Sequence, residues 1–169
     1  MPATSNPLRY PSVKVLAEAK VENGKAVVKI DDVKTWSPDS PYLYGVKVSV
    51  ERKGKVIDSV DGYTAMRKIS VVKDKSPNKY RRMALNNEIL FQFGPLDQGW
   101  WPDGLYTAPS DEALLSDVIL TKELGFNTIR KHIKVEPARW YYHCDREGII
   151  VWQDMPCLAL YNGNSKGGM

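Results

Sequence analysis

Three short stretches concentrate the residues able to do chemistry in this 169-residue chain. The first, Asp97-Gln98-Gly99-Trp100-Trp101-Pro102-Asp103, carries carboxylates, an amide and paired indoles. The second runs from Arg130 to Glu136 and brings a guanidinium and His132, and the third, Gln153-Asp154-Met155, adds another amide and carboxylate. Flat rings beside hydrogen-bonding groups suit a polyhydroxylated ring: indoles cover its C–H face while amide, carboxylate and guanidinium groups bond its hydroxyls. Asp97, Gln98, Trp100, Trp101, Arg130, His132 and Asp154 are therefore the candidate sugar-binding residues. Each also has a structural reading. Arg130 can pair with Asp97 or Asp154, His132 can be a satisfied structural histidine, the indoles can be packing residues, and Asp154 can cap the segment after it.

These stretches matter only if the chain carries them to one place. From residue 85 onward strand-like and helix-like segments alternate, which is an α/β pattern. A strand is expected at 89–93. Ser110 then stands as a helix N-cap with Asp111 and Glu112 in the first turn, and Gly125 ends that helix. Leu114, Leu115, Val118, Ile119 and Leu124 are its expected buried stripe. A second strand is expected at 128–133, a second helix at 138–147 between Pro137 and Gly148, and a third strand at 149–152. Parallel strands in β-α-β-α-β order aim their trailing loops at one rim, and the three stretches are those loops. Trp140, Tyr141 and Tyr142 fall on the second helix, where packing is expected.

The first half has a different period. Short β-type runs at 13–19, 25–30, 44–51, 55–60 and 68–72 are separated by turns such as Glu22-Asn23-Gly24 and Arg52-Lys53-Gly54. Tyr44, Val46, Val48 and Val50 share one face of the third run, which is expected to meet a core. Five strands are fewer than the seven or so of an immunoglobulin-like sandwich, so this half reads as a partial one. The expected organisation is a leader over 1–12, the partial sandwich over 13–73, a polar linker over 74–84, and an α/β portion over 85–169.

Composition narrows the classes. A hydrophobic share of 43% supports a packed core, and the formal charge of +4 is dispersed, which disfavours nucleic acid as a partner. No run approaches a membrane span, and MPATSNPLRYPS has no apolar signal-peptide core; the compartment stays open between periplasmic or secreted and cytoplasmic. Cys144 and Cys157 are expected to be buried free thiols, and no metal or cofactor is expected.

The runs Trp36-Ser37-Pro38-Asp39-Ser40-Pro41-Tyr42-Leu43-Tyr44, then Gly62 and Arg67, then Leu85-Asn86-Asn87-Glu88-Ile89-Leu90-Phe91-Gln92-Phe93-Gly94 resemble glycoside hydrolase family 2 where its sandwich passes into its barrel. Asp117 to Arg130 resembles that family's first barrel helix and second strand, and Tyr141 to Gly148 with Val151-Trp152 its second helix and third strand. The run Asp97 to Tyr106 resembles a β-galactosidase-like subgroup. The resemblance implies an immunoglobulin-like domain followed by a (β/α)8 barrel. It also implies retaining hydrolysis of β-linked sugars by two carboxyl groups about 5–5.5 Å apart, which the family places on later barrel strands. By this resemblance the chain is a non-catalytic middle segment, and Asn87-Glu88 is a turn, not an acid/base. The sequence departs from the family in carrying Arg130-Lys131-His132 where relatives have Arg-x-x-His, and Asn86-Asn87 in place of Asn-Gly. Two other classes remain beside a glycosidase segment: a carbohydrate-binding or assembly module without catalysis, and a structural piece whose open barrel edges pair with another copy.

Overall fold

The computed structural model describes residues 15–156, which divide into two compact units, 15–90 and 91–156. The expected leader over 1–12, Val13 and Cys157 lie outside the described residues.

In the first unit, β1 (Tyr44–Arg52) and β2 (Lys55–Thr64) form an antiparallel hairpin whose ladder runs from Tyr44 opposite Thr64 to Arg52 opposite Lys55. Lys53 and Gly54 both take positive φ, the geometry a two-residue turn needs to follow the strand twist. Of the expected core face only Tyr44 is buried; Val46, Val48 and Val50 are exposed, because the described residues lay no second sheet against this hairpin. The strands expected at 13–19 and 25–30 form no ladder among the described residues. Only the isolated bridge between Glu22 and Lys25 survives there, since a β-run without a neighbour leaves its backbone groups to water.

A second, three-stranded antiparallel sheet joins β3 (Ile69–Lys73), β4 (Arg81–Leu85) and β5 (Glu88–Ile89). The stretch read as a linker thus contains a strand. Its polar residues make a structured turn: Asp74 accepts from the Ser76 amide and hydroxyl and from Arg82 Nε, and these donors hold its carboxyl below the usual range. Asn86 and Asn87 are both left-handed between β4 and β5. Asn86 also accepts the Lys68 amide at 3.0 Å and donates to the Trp36 carbonyl at 3.0 Å, tying this turn to the buried Trp36.

The second unit is a three-stranded parallel sheet in the order β6 (Leu96–Asp97), β7 (Thr128–Lys131), β8 (Ile150–Gln153), with α1 (Asp111–Glu123) and α2 (Ala138–Glu147) in the crossovers. The strand expected at 89–93 is displaced: Ile89 ends the antiparallel sheet, and parallel pairing begins where the Phe93 and Pro95 carbonyls accept the Asn127 and Arg130 amides. Gly94 permits that approach, because a Cβ there would collide with the Thr128 carbonyl. Ser110 caps α1 through its hydroxyl, which accepts the Ala113 amide at 3.2 Å, and Gly148 closes α2 in a left-handed conformation.

The core joins Leu114 and Val118 of α1, Ile129, Ile149, and Trp140 and Cys144 of α2. The stripe of α1 is narrower than expected, with Thr121 buried and Ile119 and Leu124 exposed. Asp111 clamps the helices together, accepting from Arg139 at 2.6 and 3.0 Å and facing His143 Nε2 at 3.0 Å, which lowers its carboxyl strongly. Cys144 is buried and unbonded to sulfur, and that burial pushes its thiol up.

Candidate binding rim

Because β6, β7 and β8 are parallel, the residues leaving their carboxyl ends share one rim: Asp97 and Gln98, Lys131 and His132, Gln153 and Asp154. Alternation then divides them between two faces. Lys131 is opposite both Asp97 and Gln153, and Ile129 is opposite Val151, so this row faces the helices. Arg130 is opposite Leu96 and Trp152, and that row faces away from the helices.

The helix-side row holds a charge cluster. The Lys131 ammonium is 1% exposed, contacts Asp97 Oδ2, lies 2.9 Å from Glu136 Oε1 and sits 4.4 Å from the centre of the Trp140 ring. Glu136, 2% exposed, also takes Lys134 at 2.9 Å. Burial of ions is tolerable only with such pairing. Asp97 is further occupied by the Gly99 amide at 2.7 Å. Asp117 on α1 has its carboxyl raised, first by loss of solvent, then by the negative Asp97, with Lys131 opposing. Gln153 bonds the Tyr141 hydroxyl and the Lys134 carbonyl, so it too is a strut.

The open row carries different chemistry. Arg130 grips Asp154 with two parallel bonds, Nε at 3.2 Å and Nη2 at 2.9 Å, and the Ile133 backbone amide adds to the favourable surroundings of the Asp154 carboxylate. Arg130, His132 and that amide hold the Asp154 carboxyl low, and Asp154 in turn holds the guanidinium protonated. Gln98 Nε2 lies 3.2 Å from His132 Nδ1. Trp152 bonds Gln92 through its indole N–H.

The seven candidate residues are therefore not one cluster. Gln98, Arg130, His132 and Asp154 form two bonded pairs on the open side, whereas Asp97 belongs to the helix-side cluster. Trp101 packs on the core, with its indole N–H buried and unbonded. Trp100 is 54% exposed and lies on the Tyr106 ring, with centroids 4.1 Å apart. Of the two pairings open to Arg130, the structure has the one with Asp154. Sequence reasoning did not single out Lys131, Lys134, Glu136, Tyr106 or Trp152. One signal was available: in a strand covered on one side by helices, Ile129 inward forces Lys131 inward, and a buried lysine demands carboxylates.

Residues 8–67 match the family model described as Glycosyl hydrolases family 2. The chain is 28% identical over 130 residues to a beta-galactosidase of Lactococcus lactis, covering 76% of this chain and 12% of that protein. It is 29% identical over 135 residues to a beta-galactosidase of Thermoanaerobacter pseudethanolicus, covering 76% and 17%. Its fold matches a beta-glucuronidase of Bifidobacterium dentium solved with coumarin-3-O-glucuronide, with a TM-score of 0.73 at 22% identity over 85% of this chain and 23% of that one. The chain thus spans less than a fifth of the length of these curated relatives.

Proposed function

We propose that this chain is a segment of a glycoside hydrolase family 2 protein, and that the whole protein is a retaining β-glycosidase of β-galactosidase type. The first unit is then part of its immunoglobulin-like sandwich. The second is the opening β-α-β-α-β portion of its (β/α)8 barrel. The open row of β6, β7 and β8 is one wall of the sugar site, Gln98, Arg130, His132 and Asp154 being the wall's polar residues.

One observation carries this reading. Two oriented polar pairs, Arg130 with Asp154 and Gln98 with His132, leave the carboxyl ends of three parallel strands on the face that a closed barrel turns inward. Charge favours a neutral sugar over a uronate: among the described rim residues Arg130, Lys131 and Lys134 each already hold a carboxylate. The described carboxylates do not supply the chemistry. A retaining mechanism needs two carboxyl groups about 5–5.5 Å apart across the scissile bond, whereas Asp97 and Asp154 lie on opposite sides of the sheet and each is held by a cation. The catalytic pair belongs to other parts of the barrel.

The test uses the chain labelled with fluorotryptophan. Methyl β-galactoside should shift the Trp152 fluorine signal saturably, methyl β-glucuronide should do so more weakly, Arg130→Met should abolish the shift, and no aryl β-galactoside should be cleaved. Cleavage that disappears in Asp97→Asn or Asp154→Asn would overturn the assignment of catalysis elsewhere; a Trp152 signal indifferent to galactoside would overturn the sugar wall.

A further inference from the structure

The loop after β6 ends in a ring pair that the polar rim does not explain. Trp100 and Tyr106 are both about half exposed, yet their rings touch and are inclined by 31°. Between them the chain doubles back: the Trp101 amide donates to the Leu105 carbonyl at 2.7 Å and the Leu105 amide to the Trp101 carbonyl at 3.1 Å. Trp101 anchors this turn in the core. Exposed aromatic surface held in a fixed arrangement is unusual in a loop, where rotamer freedom favours disorder.

Lys134 supplies the missing constraint. Its ammonium donates to the Gly99 carbonyl at 2.7 Å, pairs with the buried Glu136 at 2.9 Å, and lies 5.2 Å from the centre of the Tyr106 ring. Gly99 fits this seat only as glycine. It is left-handed at φ +67, and a Cβ would meet Lys134 Nζ at 2.7 Å and also strike Glu136. On its other side the Gly99 amide donates to Asp97. Gly99 is therefore pinned at both its amide and its carbonyl, immediately before Trp100. The Lys134 carbonyl meanwhile accepts Gln153 Nε2 at 2.8 Å, so one residue links the loops following β6 and β7 to the end of β8.

Tyr106 also lines a concavity with Ile133, Lys134, Val135, Pro137 and Pro156. Ile133, left-handed at φ 47, has an amide that helps to keep the Asp154 carboxyl low, which brings this concavity to the edge of the Arg130–Asp154 pair.

We propose that Lys134 is a positioning residue that latches the Gly99 carbonyl and so presets the Trp100–Tyr106 ring pair as a stacking wall for a sugar ring beyond the Arg130–Asp154 pair. The binding half of this inference rests on the carbohydrate reading above; the latch itself does not. Lys134→Met is a mild perturbation, because Glu136 keeps Lys131 as its partner.

Fluorotryptophan labelling separates the two halves, with Trp100 assigned by the signal lost in Trp100→Phe and Trp140 serving as the core reference. In the wild-type chain without sugar, the Trp100 signal should be as broad as that of Trp140 despite its exposure. In Lys134→Met it should narrow and move toward the position of a solvent-exposed indole while Trp140 stays in place. Methyl β-galactoside binding should weaken about five-fold, the loss expected from one aromatic stacking contact. A sharp, mobile Trp100 signal in the wild-type chain overturns the latch even if the variant fails to fold, and so does an unchanged Trp100 signal in a folded variant. If Trp100 loosens as expected but the wild-type chain ignores galactoside, the latch stands and the carbohydrate reading fails. Undiminished sugar binding by a variant with a loosened Trp100 overturns the stacking wall alone.

Discussion

Replacing Lys131 by methionine isolates what the helix-side cluster contributes to the second unit. The substitution nearly preserves length and apolar volume while removing one charge, so a purely packing role predicts little change. The structure predicts a large one. At 1% exposure the ammonium has no solvent to return to, and its partners are a quarter-exposed Asp97 and a Glu136 that is 2% exposed. Removing one member of a buried pair costs about 3–5 kcal/mol. Glu136 keeps Lys134 and Asp97 keeps the Gly99 amide, which places the cost at the lower end, about 3 kcal/mol.

Far-ultraviolet circular dichroism in urea is the assay, because among the described residues helices occur only in the second unit. With a slope of about 1.5 kcal/mol per molar urea, the helical midpoint should fall by about 2 M. Adding Asp97→Asn should recover more than half of that loss, since a missing pair is tolerated far better than an orphaned charge. The variant should also raise the Asp117 carboxyl further, because Lys131 is the charge that opposes its elevation. A carboxyl raised in the folded state binds its proton more tightly there than when unfolded. Its contribution to stability therefore declines as pH rises from the unfolded value toward the folded one, and in Lys131→Met that decline should extend to higher pH. A midpoint within about 0.3 M of wild type, or no recovery in the double variant, would refute the reasoning.

On the open face, Asp154 should titrate below the ordinary aspartate range by carboxyl-carbon NMR and move back up in Arg130→Met, since Arg130 is the largest cause of its depression. The sign is opposite to that of Asp117: a depressed carboxyl favours the folded state above its unfolded pKa, and that contribution disappears as acid protonates it. At the β4–β5 turn, Asn87→Gly should raise the melting temperature of the first unit by relieving a left-handed asparagine at φ 72, a gain of up to about 1 kcal/mol that outweighs the loss of its exposed bond from the Lys68 ammonium at 2.8 Å. Asn86→Gly should lower it despite a similar φ of 52, because Asn86 loses its bonds to Lys68 and Trp36.

Local signals in the sequence were legible where one segment decides its own conformation. The Lys53-Gly54 turn, the Ser110 cap and Gly148 lie where their side chains, or lack of one, place them. Signals that depend on a partner were not. The valine-rich stretch 15–30 has strand composition but no ladder, and the apolar run at 89–93 was read as the first parallel strand although pairing selects Leu96–Asp97 instead. That choice turns on Gly94 meeting the Thr128 carbonyl, a contact between residues 34 positions apart. The candidate site follows the same division. Its residue types and their arrival at one rim could be read from strand order, whereas the face each one takes required the register. Register puts Asp97 on the helix side beside Lys131, on the face that Ile129 shares.

The two rows of β7 place opposite demands on one strand, and their energetics explain how both persist. An ion pair as exposed as Arg130 with Asp154 contributes little to folding, so its geometry must be imposed by something else. Asp154 is fixed by the backbone, its own amide donating to the Lys131 carbonyl at 3.1 Å, and the amide of a left-handed Ile133 helps to keep its carboxyl low. The turn at Ile133 is in turn bracketed by the Lys131 cluster before it and by Lys134, bonded to Gly99 and Gln153, after it. A β-branched residue does not remain left-handed unless its surroundings compel it. Stability is thus concentrated on the helix side of the strand, and orientation on the open side is derived from it. Arg130→Met should accordingly leave the urea midpoint almost unmoved while removing a polar group from the proposed sugar wall, and Lys131→Met should lower the midpoint and loosen the open-side Arg130–Asp154 pair with it; an Arg130→Met midpoint as low as that of Lys131→Met would show that the open pair, too, holds the unit together.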